Sequence, residues 1–85
     1  MEVRFLDHAL RRMRERNLSP TFIQKVIAKP DKVERSVKDP ARILYKKRYH
    51  PGTSGERLLL IITEAKEKML IIVTVIETSK IEKYW

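Results

Sequence analysis

Arg57-Leu58-Leu59-Leu60-Ile61-Ile62-Thr63 and Met69-Leu70-Ile71-Ile72-Val73-Thr74-Val75-Ile76 decide the fold, with Glu64-Ala65-Lys66-Glu67-Lys68 between them. Both runs are rich in branched aliphatic side chains and are bounded by polar residues, which reads as strand. Successive side chains of a strand point to opposite faces. These runs are apolar at consecutive positions, so both faces are covered and the two strands are expected at the centre of a sheet. The polar bridge predicts a hairpin of moderate loop length.

Upstream, Ile43 to Tyr49 reads as another strand. Ile43, Tyr45, Lys47 and Tyr49 share one face, and Leu44, Lys46, Arg48 and His50 the other. Pro51-Gly52-Thr53-Ser54-Gly55 holds both glycines and is the clearest loop. Asp39-Pro40 marks a turn, and Val33 to Val37 a short strand. Before Pro30 the period changes to that of a helix. Ser19 is an N-cap and Pro20 suits the first helical position, where no hydrogen bond is lost. Leu18 and Ile23 stand at the positions of a hydrophobic staple. Phe22, Ile23, Val26 and Ile27 form the buried stripe. An earlier helix opens with Asp7 as N-cap, buries Leu6, Ala9, Leu10 and Met13, and ends near Asn17. Residues 2–5 alternate as a short edge strand, and the tail from Ser79 forms a last helical turn.

The order is β-α-α-β-β-β-β. It predicts one α+β domain over residues 1–85: a short N-terminal strand, and two helices on one face of a mainly antiparallel four- to five-stranded sheet. Two helices leave apolar residues on the second face, available to a homodimer partner, another protein or a substrate groove.

The 85 residues carry 19 lysines and arginines against 11 acids, a formal charge of +8. That balance favours a polyanion, an acidic protein or an anionic surface as partner. There is no cysteine, so disulfides and thiolate chemistry are excluded. His8 and His50 are the only imidazoles and have no ligand spacing, so no metal and no cofactor is expected. The N-terminal residues have no long apolar region of the signal-peptide kind, and no run approaches a membrane span. A cytoplasmic location is expected. The charged fraction of 35% fits a heat-adapted chain.

Three groups of residues could carry chemistry. His8 lies on the first helix, roughly opposite the centre of its apolar stripe, in the first turn where the helix dipole disfavours imidazolium. A neutral imidazole suits a general base; the other reading is an exposed first-turn histidine without a task, which spacing alone favours. Arg12 and Arg16 continue its row at steps of about 40°, with Arg11 diverging beside them. The row could hold phosphates or be an ordinary solvated face. Tyr45-Lys46-Lys47-Arg48-Tyr49-His50 puts three cations between two tyrosines. That pattern suits RNA, with cations on phosphates and rings on bases, and also a half-exposed edge strand guarded by lysines. Lys80, Lys83 and Tyr84 close the chain beside Trp85. They read either as groups near a substrate oxygen or as a C-terminal turn anchored by Trp85.

The run His8-Ala9-x-x-Arg12-Met13-x-x-Arg16, followed by Leu18-Ser19 and Val26-Ile27-x-x-Pro30, resembles a family of small uncharacterised prokaryotic domains that opens with an H-A-x-x-R-M-x-x-R helix. That family is grouped with the RelE-like toxins, which share a fold with barnase-type and colicin-type ribonucleases. The resemblance spans nearly the whole chain. It implies a toxin-like, metal-independent endoribonuclease in which a 2'-hydroxyl attacks the neighbouring phosphate, with an antitoxin as protein partner. Under it His8 is the base or acid, Arg12 and Arg48 stabilise the phosphorane, and Lys80 or Tyr84 assists at the leaving oxygen. Arg11, Arg16, Lys46, Lys47, Tyr49, His50 and Lys83 would then hold RNA. The competing expectations are a non-catalytic RNA-binding or ribosome-associated module, and a protein-interaction module that uses the exposed sheet face.

Overall fold

The computed structural model describes residues 2–52 and 55–85; Thr53 and Ser54 of the expected loop lie outside the described residues. The chain runs β1 (Glu2–Phe5), α1 (Asp7–Glu15), α2 (Pro20–Ala28), β2 (Lys32–Arg35), β3 (Arg42–Tyr49), β4 (Arg57–Lys66), β5 (Met69–Thr78) and α3 (Ile81–Tyr84). The strands form one mixed sheet in the order β1-β5-β4-β3-β2. Among the described residues only β1 pairs in parallel, with β5; the other neighbours are antiparallel. The protein is therefore α+β, with its N-terminal strand at one edge and the two most apolar strands inside.

The hairpin is tighter than its polar bridge suggests. β4 continues through Glu64, Ala65 and Lys66, with Lys66 opposite Met69, so only Glu67 and Lys68 turn the chain. Glu67 takes a positive φ of 56° to make that turn. Polar residues at the end of a hairpin reach water from both faces, so composition there does not mark where pairing stops. A bulge beside Ile62 and Thr63 shifts the register of β4 against β5. An extra residue on one strand re-aims the side chains beyond it.

Ser19 accepts from the Phe22 N–H at 3.1 Å, with Pro20 in the first turn, so α2 starts as its sequence predicts. Asp7 does not cap α1. Leu6 holds that position without a side-chain bond, and Asp7 is already helical, where its charge still favours the dipole. At the other end Asn17 enters the left-handed region at φ 56°, and the Leu18 N–H reaches back to the Met13 carbonyl at 2.8 Å while Asn17 reaches Arg14 at 3.3 Å. This paired closure satisfies two carbonyls left free at the helix end. It also swings Leu18 inward and leaves Arg16 at the rim.

Both helices lie on one sheet face. Ala9, Met13, Ile23 and Val26 pack with Leu59, Ile61, Leu70, Ile72 and Val75 in a single core. On the second face Leu58 and Leu60 are also buried, at 0% and 4% exposure. The cover there is α3 with Trp85, which packs on β4. So the face expected to stand open is partly closed by the chain's own last turn. Ile76 on the same face remains 41% exposed.

Candidate phosphate groove and the cavity behind it

β3 is an interior strand, since β2 lies outside it, so its lysines do not guard a sheet edge. Alternation along β3 then sends its cations to unlike surroundings. Lys46 lies opposite Leu60 and is 4% exposed. Its ammonium pairs with Glu34 and donates to the Trp85 backbone oxygen at 3.0 Å. Lys32 donates to the same oxygen at 2.8 Å and sits 5.3 Å above the indole. Lys46 is thus a structural cation that fastens the end of α3 to the sheet, and it leaves the set of side chains open to RNA. The bond from Lys46 holds the Glu34 carboxyl below its ordinary value. Trp85 is an anchor, as one reading of the tail expects.

Arg48 lies two residues on, past the indole. Its guanidinium is 5.5 Å from the Trp85 ring and donates to Glu56 at 2.8 and 3.2 Å. The backbone N–H of Arg48 donates to Asp31 at 2.8 Å, and Lys47 pairs with Asp31 at 3.2 Å. That backbone bond is the main cause of the lowered Asp31 pKa, while the side-chain bond from Arg48 lowers that of Glu56. Arg48, Glu56, Lys80, Glu82, Lys83 and Trp85 line one groove of about 910 Å³. Lys80 is set by the turn into α3, where its backbone N–H donates to the Thr78 hydroxyl at 3.0 Å. Tyr84 stands beside the groove with Lys83 over its ring at 5.4 Å. His50 is exposed.

The structure does not bring His8 to this groove. His8, Arg11 and Arg12 are exposed on α1, on the other side of the sheet, and line neither cavity described here. The five residues expected to act together therefore divide: Arg48 and Lys80 meet, Tyr84 is next to them, and His8 and Arg12 are apart. Glu56 is not legible in sequence as a site residue. It is a lone acid after a glycine, and only the register of β3 on β4 sets it beside Arg48.

Behind the groove, the same strand ends point the other way. Tyr49, Arg57 and Glu77 follow or precede Arg48, Glu56 and Thr78 by one residue and face the helices. With Arg16, Asn17 and Phe22 they line a second cavity of about 570 Å³. The Tyr49 hydroxyl donates to Glu77, and its ring meets Phe22 at 5.5 Å, tilted by 48°. Burial, then the bond to Glu77, pushes the Tyr49 pKa upward.

No match to the chain is found among curated proteins or among solved structures. The family described as Domain of unknown function (DUF4258) matches residues 5–77, from the end of β1 to the last residue but one of β5, and takes in Arg48, Glu56 and the whole second cavity but not α3. Over that span the chain belongs to the DUF4258 family.

Proposed function

We propose that this protein is a RelE-like, metal-independent endoribonuclease that holds and cleaves RNA in the α3 groove. The observation that carries the reading is the convergence of Arg48, Lys80 and Lys83 with the Glu56 carboxylate in one concavity beside an aromatic ring. Three cations answer the charge of a phosphodiester and of the phosphorane formed from it. The Glu56 carboxylate, ionised at neutral pH, takes the proton of the 2'-hydroxyl as that oxygen bonds to phosphorus. The bond from phosphorus to the 5'-oxygen breaks, and Lys80 gives a proton to the departing oxygen. The products are a 2',3'-cyclic phosphate and a free 5'-hydroxyl. His8 has no part in this arrangement.

A second reading is RNA binding without cleavage. It is favoured by the two hydrogen bonds from Arg48 to Glu56, which lower the carboxylate's proton affinity and make it a weak base. Incubation of structured and single-stranded RNA with the protein in EDTA separates the two. The nuclease reading expects cyclic phosphate ends from the wild type and from His8→Ala. It expects a loss of about 100-fold or more in rate for Glu56→Gln with RNA affinity retained. Absence of those ends with RNA still bound establishes the binder, and loss of cleavage in His8→Ala alone returns the chemistry to α1.

A further inference from the structure

The second cavity carries chemistry that the groove does not use. Its volume of about 570 Å³ falls in the range of roughly 300–1,000 Å³ typical of small-ligand sites. One wall is aromatic, from Phe22 and Tyr49. Another is a carboxylate with capacity to spare: Glu77 accepts from the Tyr49 hydroxyl on Oε2, and among the described residues nothing donates to Oε1. The rim is cationic. Arg16 and Arg57 line it, and among the described residues neither forms an ion pair; the Arg57 guanidinium donates only to the backbone oxygens of Gly55 and Glu56.

A ligand for this lining needs a flat face, an anionic group and a hydrogen-bond donor edge. Among the RNA bases only guanine shows two adjacent donors, N1–H and the N2 amino group, aimed in parallel so that one meets the free Oε1 and the other the second lone pair of Oε2 beside the Tyr49 hydroxyl. Adenine and cytosine each place an acceptor next to their amino group, and uracil flanks its one N–H with two acceptors. An acceptor facing Glu77 would be repelled. We infer that this cavity is a guanine nucleotide site, in which Glu77 reads the base edge, Phe22 and Tyr49 carry the base face, and Arg16 and Arg57 hold the phosphate.

That the guanine belongs to an RNA strand rests on the function proposed above; the cavity's base preference does not. Arg48 and Tyr49 are consecutive, as are Glu56 and Arg57, so the site and the groove share one end of the sheet, on its two faces. A strand crossing that end would place a guanine near the phosphate held in the groove.

The test is titration of the full ¹⁵N-labelled chain with 5'-GMP and, separately, 5'-AMP, read from amide shifts. GMP is expected to move Asn17, Tyr49, Arg57 and Glu77, and AMP to bind about tenfold more weakly or worse. Glu77→Gln keeps an acceptor for the Tyr49 hydroxyl but sets an amide donor against the base, so the preference disappears. Arg16→Gln, at the exposed helix end, weakens both nucleotides alike. Equal binding of the two, shifts confined to other residues, no binding by GMP, or a preference that survives in Glu77→Gln overturns the inference. Salt-sensitive RNA binding alongside any of those results leaves the function proposed above standing. GMP preference without RNA binding retires that function and keeps the site.

Discussion

Single residues in this chain take their meaning from partners far away in sequence. Lys46 reads as one of three adjacent cations facing RNA, and its alternation with Lys47 is legible from the strand pattern. Its burial is not, because the cover comes from Trp85, 39 positions on. Burying an ammonium is unfavourable unless it is paired and hydrogen-bonded, and Glu34 supplies the pairing. Glu34→Gln is expected to lower stability at pH 7 by about 1–2 kcal/mol, less than for a fully buried pair because Glu34 is half-exposed. The sign with pH follows from the lowered Glu34 pKa. Its contribution is complete above the ordinary value of 4.5 and is lost as pH falls through the lower folded value. Thermal melts should therefore separate wild type and variant at pH 7 and bring them together in acid, once the pH is below the lowered folded value. A gap that persists in acid would mean that the carboxylate acts by shape and not by charge. Glu56 and Glu77 illustrate the same limit of sequence reading. Each is an isolated acid with no motif around it, and each gains a role only when strand register sets it beside Arg48 or Tyr49.

At the scale of elements the local rules work where the signal is in the backbone. Ser19-Pro20 caps α2 as it should, and the two apolar runs are the inner strands. The helix start at Asp7 is displaced by one residue, because the extended segment leaving β1 is fixed by the Leu6 N–H, which donates to the Ile72 carbonyl at 3.1 Å. Leu6 is thereby held as the residue before the helix, and Asp7 falls inside it. The two acidic or hydroxyl starts should then differ in mutation. Ser19→Ala removes a made bond and should cost about 1 kcal/mol. Asp7→Ala removes only a favourable charge at the helix start, about 0.5 kcal/mol. Urea denaturation of both variants measures the difference, and equal costs would show a cap at Asp7. The short α3 is the last helical turn expected of the tail. Four residues have no helical period from which to read a packing face, and what places them over the second face is the hold of Lys32 and Lys46 on Trp85.

Across the whole molecule, the positive charge is shared between two surfaces that sequence could not tell apart. Arg11 and Arg12 on α1, with Arg16 just past its end, lie on the helix side, and Arg48, Lys80 and Lys83 lie on the α3 side. Composition predicts a polyanion partner from either. Geometry favours the α3 side, because there the cations share a concavity with a carboxylate and an indole, whereas Arg11 and Arg12 stand on an open helix surface. The central claim is that RNA phosphates are held in the α3 groove. The salt dependence of single-stranded RNA affinity tests it most directly, since removing one cation from a phosphate reduces the slope of log K against log salt by about 0.7. The account predicts that a Lys80→Ala, Lys83→Ala double variant has a slope shallower by about 1.4, and that Arg11→Ala, Arg12→Ala leaves it near the wild-type value. An unchanged slope in the first variant with a reduced one in the second would contradict the account and place the RNA on α1.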